Sequence, residues 1–475
     1  MPQQTQGNAN NDTSWMVAIE TMLDAIGHPE VQSSSISKVP DKIRKPNADA
    51  YMPRVVSIGP LHRGTKNDLL MMEPHKWSYT VNLLNQTQIP ENTVVSAGPS
   101  TLENCGTDLL QLDNIVRASY GGNIHSEPHE LAKVMLDGCF LLEFLQRHVE
   151  TLSKGNNPNH GGDPVFQSQD MLRDILGDML LLENQVPFII LKKLHRRIFP
   201  SVVPREQDHR VANLALAALS CPLVVSPSGV AHLLDLVHYS ITNENGSHKT
   251  KQAELELNRS AMRLQAEGIT IRPANSGNNN NGNAQKDNKL VNSFDFVINF
   301  ENRVLEISPL HINEFKEVIW RNLIAWEQSR IEIRCKLTSY ALFFQGLICC
   351  EHDIELLEHV GVIVNDSKKS KKDLEKLFRT IAEGVMYMDS CYSKTCDRLN
   401  NHKGTKPYKK WTIMAWHQCM DIFAIVVHYL ITWFSLLKLI HEVFPTGWKL
   451  LGVLSGAALL GLTATQTYYI VPGHH

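Results

Sequence analysis

An uncharged apolar segment near the C-terminal end, residues 450–471, constrains this chain more than any other feature. As a helix it would be about 33 Å long, which matches the hydrocarbon thickness of a bilayer. Trp448 lies at one end and Tyr468 and Tyr469 lie at the other, as aromatic residues do at membrane interfaces. The segment therefore predicts a single transmembrane helix over residues 448–471; the alternative is a buried core helix at the chain end.

Basic residues precede this segment, and only Pro472–His475 follow it. Lys438 and Lys449 flank its N-terminal side, with Lys409 and Lys410 further away. Because positive charge collects on the cytoplasmic side of a membrane, the pattern predicts a cytoplasmic body. The expected protein is tail-anchored, in the plasma membrane or an endomembrane.

A second apolar run extends from Ile422 to Ile440 and contains His428 and Lys438. Polar groups are costly inside a bilayer, so the run favours an amphipathic or buried helix within a juxtamembrane region, residues 401–447. If it did span, the two segments would form a hairpin.

Three glycines, Gly452, Gly456 and Gly461, lie within the predicted span. The first two have the GxxxG spacing that lets helices approach closely in membranes. Self-association through this face is a third, weaker interpretation of the chain, beside an interaction protein and an enzyme.

Helical periodicity dominates the remainder of the chain, which is 43% hydrophobic. Apolar residues recur at i, i+3, i+4 and i+7 over residues 170–182, which indicates one helix face, and residues 374–385 suggest another helix. Strand signals are few: Phe188–Leu191, and the alternating residues of Phe294–Ile307. The prediction is a mainly α protein: a large helical globular body with few short strands.

Composition shifts set the predicted domain boundaries. Residues 1–35 are polar and predicted to be a disordered tail, residues 36–400 form the helical domain, and residues 273–292 are an Asn-rich disordered loop within it. The N-terminus has no signal-peptide pattern.

Several function classes lack support in the sequence. The net charge of -3 offers no basic surface for nucleic acid. Phosphate-binding loops and the HExxH and GxSxG motifs are absent from the sequence. The nine cysteines contain no CxxC pair, so neither a metal site nor a cofactor is expected, and no catalytic residue is assigned.

Polar residues in two places are the candidate binding or structural residues. His62 and Arg63 lie in a turn bounded by glycines, which can bind an anion or close the turn through backbone carbonyls. Glu183, Asn184 and Gln185 follow an apolar run at a helix end, which suggests a buried hydrogen-bond hub.

A nearby row of aspartates offers oxygen ligands one helical turn apart. Asp170, Asp174 and Asp178 could hold a divalent cation, but periodicity places them on a solvated face.

An ordered set of stretches resembles the plant family called Domain of Unknown Function 247 and covers residues 36 to 471. The set comprises ISKVP at 36–40, YMP at 51–53, VSIGPLHRG at 56–64, LDGCF at 136–140, DMLLLENQVPF at 178–188, HLLDL at 232–236, RNLIAWEQ at 321–328, and the terminal apolar segment. The resemblance implies a mostly helical plant protein with one C-terminal transmembrane helix and no established activity or catalytic residues. Some grass members are linked to self-incompatibility as candidate recognition factors.

Two hypotheses of different classes follow. The first is a membrane-tethered interaction or signalling protein with an unknown protein partner, in which the candidate residues, Asp137 among them, are scattered or held in satisfied core bonds. The second is an enzyme built around His62, Asp137 and Glu183, in which these groups converge in one pocket with a shifted carboxylate pKa.

Overall fold

A computed structural model describes residues 34–86, 101–120, 128–154, 162–199, 204–224, 229–242, 256–274, 296–330, 333–402, 432–433, 452 and 455–463. The larger of two compact units contains the described residues within Met1–Gln265 and Ile269–His402. The smaller contains those within Ala266–Gly268 and Lys403–His475.

The larger unit is mainly helical, as predicted. Its α-helices are α1 Asp41–Arg44, α2 Glu73–Asn85, α3 Thr101–Leu110, α4 Asp113–Ser119, α5 Pro128–Lys154, α6 Pro164–Gln167, α7 Gln169–Asp178, α8 Phe188–Ile198, α9 Pro204–Ala218, α10 Leu233–Thr242, α11 Ala261–Ala266, α12 Glu314–Ser329, α13 Lys336–Leu347, α14 Glu351–His359, α15 Lys371–Thr380 and α16 Ser393–Asn400. Short 3₁₀ helices cover Ala48–Tyr51, Asn67–Met72 and Ser390–Tyr392.

Five short strands complete the described elements. They are β1 Thr270–Pro273, β2 Ile298–Glu301, β3 Val304–Ile307, β4 Leu310–Ile312 and β5 Ile363–Asn365. The first three form a sheet in the order β1-β3-β2, in which β1 and β3 are parallel and β2 and β3 antiparallel. β4 and β5 pair in parallel.

The strand signal in residues 294–307 is confirmed, since β2 and β3 lie there and form an antiparallel hairpin. Its two-residue turn, Asn302 and Arg303, has φ angles of 50° and 65°. Two consecutive residues with positive φ match the right-handed twist of the flanking strands.

The interpretation of Phe188–Leu191 as a strand is wrong, because these residues begin α8. Three of the four residues are fully buried. Periodicity alone cannot distinguish a strand from a buried helix in so short an apolar run. The helix expected over 170–182 ends at Asp178, where the chain turns before Pro187.

The core is arranged around α5, which contacts α2, α3, α8 and α9. Its residues from Cys139 to Leu145 are almost fully buried, Glu143 included. In the C-terminal half the central helix is α12, whose Trp320 and Trp326 are inaccessible to solvent. The segment after α7 lies between these two regions, since Asn322 of α12 accepts a hydrogen bond from the Leu182 amide at 3.0 Å.

Within the described residues, no helix is long and apolar enough to cross a membrane. Most of the predicted span at 448–471 lies outside them, as do residues 1–33 and most of 401–447. Of the loop predicted over residues 273–292, Pro273 ends β1 and residues 275–292 lie outside the described residues. Described positions within the span include Gly452 and Gly456, and a Cβ added at Gly456 would lie 3.0 Å from the Trp433 indole of the same unit.

Candidate functional site

The loop of residues 56–64 is the point where the sequence-selected residues meet. Gly59 has φ +72°, a conformation that glycine adopts without strain. The loop has few backbone bonds of its own, so side chains from α5, from the end of α7 and from the segment after α7 bind its amides. We call it the 56–64 loop.

Asp137 of α5 binds the loop from one side. Its Oδ2 accepts a hydrogen bond from the Gly59 amide at 2.8 Å and one from Arg63 at 2.7 Å. Its Oδ1 accepts from Lys76 Nζ at 2.7 Å, and the side chains of Asp137 and Lys76 are each only 1% exposed. The negative charge of the Asp137 carboxylate is therefore balanced by basic partners, and both of its oxygens are hydrogen-bonded in a buried site.

Lys76 is a partner of Asp137 that helical periodicity alone could have identified. It lies on the same face of α2 as the buried Tyr79, Thr80 and Leu83, where a lysine requires partners. Its ammonium also donates to Ser57 O at 2.6 Å and to a Glu73 carboxylate oxygen at 2.7 Å, which uses all three protons.

Glu183 binds the chain that precedes the loop. Its Oε1 accepts from the Val39 amide and from the Arg44 guanidinium, and its Oε2 lies 3.3 Å from His62 Nε2. Burial acts to raise the pKa of Glu183, but the interactions with His62, Arg44 and Val39 outweigh it and hold the pKa below its usual value. Glu183 is therefore a charged structural anchor.

Asn184 and Gln185 satisfy backbone groups that no regular element satisfies. The side-chain oxygen of Asn184, Oδ1, accepts a hydrogen bond from the Ile58 amide at 2.7 Å. Its side-chain nitrogen, Nδ2, donates to the backbone carbonyls of Val56 and Asp178. Gln185 Nε2 donates to Met179 O and Leu181 O, both at 2.8 Å. Buried polar side chains in this role fix one backbone path.

The prediction that Asp178 lies on a solvated face of α7 is wrong. Asp178 is 2% exposed and accepts hydrogen bonds from three consecutive amides, those of residues 54 to 56, at 2.7 to 2.8 Å. Asp174 contacts Arg54 at 3.1 Å and Asp170 contacts Arg173 at 3.0 Å. The chain before the loop covers the end of α7, which periodicity within the helix could not reveal.

The six selected residues thus lie in or against one loop: His62 and Arg63 belong to the 56–64 loop, and Asp137, Glu183, Asn184 and Gln185 pack against it. They converge, as the enzyme hypothesis expects, but the carboxylates and amides among them are held by satisfied core bonds, as the interaction hypothesis expects. A general base needs an accessible lone pair and a pKa near the working pH. Neither Asp137 nor Glu183 offers an accessible lone pair, because each is occupied by basic side chains and backbone amides.

A further buried carboxylate lies in the RNLIAWEQ stretch, where the sequence indicated only a resemblance. Glu327 is inaccessible to solvent and accepts from the amides of Leu337 and Thr338 and from the Thr338 hydroxyl at 2.7 to 2.9 Å. His238 Nε2 lies 2.9 Å from its Oε1. This arrangement fixes the start of α13.

His232 is held as a neutral imidazole. Its Nδ1 accepts from the Asp235 amide at 3.1 Å, which caps α10, and its Nε2 lies 3.2 Å from Ser35 O. A proton on Nδ1 would face the Asp235 N–H. Burial lowers the pKa of His232 to about 3.

We expect this imidazole to make folding sensitive to acid. An unfolded histidine titrates near pH 6.5, so below that pH the unfolded chain binds a proton that the folded chain does not, and stability falls as pH falls. The histidine should lower the free energy of unfolding by about 1.4 kcal/mol for each pH unit between about pH 6 and 4. His232→Asn preserves an acceptor for the Asp235 amide and should abolish this pH-dependent loss. Denaturant titrations at several pH values measure this; an unchanged slope contradicts it.

Comparison with known proteins points to one family. A family model described as a plant protein of unknown function, DUF247, matches residues 36–462. UPF0481 protein At3g47200 of Arabidopsis thaliana is 26% identical over 420 residues, which cover 81% of this chain and 79% of that protein. Putative UPF0481 protein At3g02645 of Arabidopsis thaliana is 27% identical over 197 residues, 40% of this chain and 32% of that protein. No solved structure matches.

Proposed function

Because this chain belongs to the plant Domain of Unknown Function 247 family, whose activity is unknown, we propose that it is a tail-anchored plant membrane protein whose helical body serves as a protein-interaction module. In this proposal the C-terminal segment fixes the body at a bilayer and the surface of the body recognises a protein partner. The resulting role is signalling or recognition, and the body acts by binding its partner and not by catalysing a reaction.

The observation that carries the proposal is the occupied state of the polar groups around the 56–64 loop. Asp137 is only 1% exposed and accepts from Lys76, Arg63 and the Gly59 amide. Glu183 is occupied in the same way by Arg44 and the Val39 amide. These groups are the strongest candidates for chemistry in the sequence, and their contacts support a structural role in an interaction scaffold.

Exposed apolar side chains support a binding surface on the body. Leu70 and Met71, in the 3₁₀ helix before α2, are 52% and 76% exposed, and Trp77 and Val81 of α2 are 61% and 52% exposed. Trp77 and Val81 lie one helical turn apart and so share a face. Large apolar groups exposed together are typical of protein contact sites, and tryptophan is enriched among residues that dominate binding energy.

The membrane part of the proposal is supported by the sequence of residues 450–471. Twenty-two residues without a charge suffice for a bilayer, and each charged residue in the middle of a span would cost about 3 kcal/mol. Self-association through Gly452, Gly456 and Gly461 remains an additional proposal. The proximity of Gly456 to Trp433 supplies a competing contact within one chain.

Protease protection on microsomes tests the anchor and its orientation. We compare the full-length chain with a chain that ends at Trp448, which lacks the apolar segment. We expect the full-length chain to resist carbonate extraction while its body is digested by added protease, and the shortened chain to remain in the supernatant.

Glycosylation reports orientation independently. Asn85 begins an Asn-Gln-Thr sequon and is exposed at the end of α2, so a lumenal body would be modified there. A cytoplasmic body leaves Asn85 unmodified. Protection from protease together with glycan on Asn85, absent in Asn85→Gln, would overturn the cytoplasmic orientation, and a shortened chain that still sediments with membranes would overturn the anchor.

A further inference from the structure

Two adjacent cysteines form the turn between α13 and α14. Cys349 is exposed and Cys350, half-buried, is the N-cap of α14. Asp353, in the first turn of α14, is buried, and its Oδ2 accepts from the amides of Cys349 and Cys350 at 3.0 and 3.2 Å. The absence of a CxxC pair made the sequence uninformative here, because the ligand candidates are consecutive.

The donor atoms of this turn lie close together. Cys349 Sγ and Cys350 Sγ are 3.1 and 3.4 Å from Asp353 Oδ2, and Cys350 Sγ is 3.9 Å from His352 Nδ1. A tetrahedral ion with bonds of about 2.3 Å to sulfur and about 2.0 Å to nitrogen or oxygen separates its donors by about 3.5 Å. The three measured separations bracket that value, and the ligand atoms of Cys349, Cys350 and Asp353 all lie within 4.8 Å of one another, so an ion fits among these three with small side-chain movements. The exposed His352 ring has to turn toward the ion to supply the fourth ligand.

The chemistry of the donors selects the ion. Two thiolates, one imidazole and one carboxylate form a mixed sulfur, nitrogen and oxygen set, which is typical of zinc and unsuited to calcium or magnesium. Cys349 and His352 are exposed, so an ion can enter from solvent.

Binding of a divalent cation displaces the two thiol protons to solvent, so both cysteines bind as thiolates.

We propose that Cys349, Cys350, His352 and Asp353 form a zinc-binding site. The site connects separate parts of the chain, since Asp353 Oδ1 accepts from the Met262 amide of α11 at 2.8 Å. Bound zinc thus fastens the α13–α14 turn to α11 and stabilises the body. This site is distinct from the proposed interaction function and stands or fails independently of it.

Cobalt(II) titration of the full-length chain tests the site. Tetrahedral cobalt bound to thiolate gives visible d–d bands and a sulfur-to-metal charge-transfer band, and zinc should displace it at one ion per chain. Cys349→Ser and Cys350→Ser should each weaken binding by more than about tenfold, and His352→Ala should weaken it as well. Cys391→Ser, a half-buried cysteine outside the cluster, should leave the bands intact.

Zinc should also raise the thermal-unfolding midpoint of the wild-type chain and of Cys391→Ser, and not that of Cys350→Ser. Far-UV circular dichroism establishes that each variant is folded before titration. The proposal is overturned if folded wild-type protein gives no thiolate–cobalt band. Bands that persist unchanged in both serine variants overturn it equally, because the ion would then reside on other cysteines.

Discussion

Replacing Gly59 with alanine is expected to destabilise the body by more than about 4 kcal/mol, enough to prevent folding in many domains. Two effects add. The φ angle of +72° costs an L-residue about 1 kcal/mol, and the new Cβ would lie 2.3 Å from Gln185 O. Backbone cannot retreat easily there, because Gln185 is fixed by its own hydrogen bonds.

Gly64 provides the matched control at the other end of the same loop. Its φ angle is +71°, but a Cβ there would meet no atom within 4 Å. Gly64→Ala should therefore cost only about 1 kcal/mol, the conformational part of the penalty. Thermal unfolding of both full-length variants measures the difference. Equal losses would show that the 56–64 loop can move away from Gln185, which contradicts a rigid loop.

Asp137→Asn is expected to cost about 3 to 5 kcal/mol, the second large effect. The substitution preserves shape but leaves the buried Lys76 ammonium and the Arg63 guanidinium facing a neutral amide. The desolvation of Lys76 is then offset only by Glu73, a carboxylate whose side chain is 35% exposed, so the substitution costs more than the pair itself contributes. Denaturant unfolding measures the loss.

Two further variants make this prediction specific. Asp113→Asn removes a half-exposed partner of Arg117 on α4 and should cost less than about 1 kcal/mol. Combining Asp137→Asn with Lys76→Met removes one of the stranded charges, so the double variant should be more stable than Asp137→Asn alone. A double variant that is less stable would contradict the charge argument and assign the loss to hydrogen bonding at Gly59.

Periodicity predicted the helical character and the strand signal of residues 294–307, because both depend on neighbours within a few residues. It failed at Phe188–Leu191, where both faces are buried and no alternation survives. It also failed at Asp178, whose burial comes from residues 54 to 56, more than a hundred positions away in the chain. Tertiary contact overrides local pattern at such positions.

The candidate site could be predicted in part. Glu183, Asn184 and Gln185 stand out because three polar residues next to an apolar run need partners, and the structure places them against the 56–64 loop. Those partners could not be read from the sequence, since Val39 and Ile58 lie in irregular chain and Arg44 ends the one-turn helix α1, and none of the three belongs to a recognisable pattern. Lys76 was accessible to reasoning, because its position on the apolar face of α2 requires a buried counter-charge.

The hydrogen bonds of the N-terminal segment have a consequence for synthesis on the ribosome. Asn322 Nδ2 donates to Ala50 O across a separation of 272 residues. At about 5 to 20 residues per second, Ala50 leaves the ribosome on the order of tens of seconds before Asn322 is made. The segment around Ala50 therefore waits, with apolar groups uncovered, until α12 emerges, and the nascent chain should be a client of cotranslational chaperones throughout that interval.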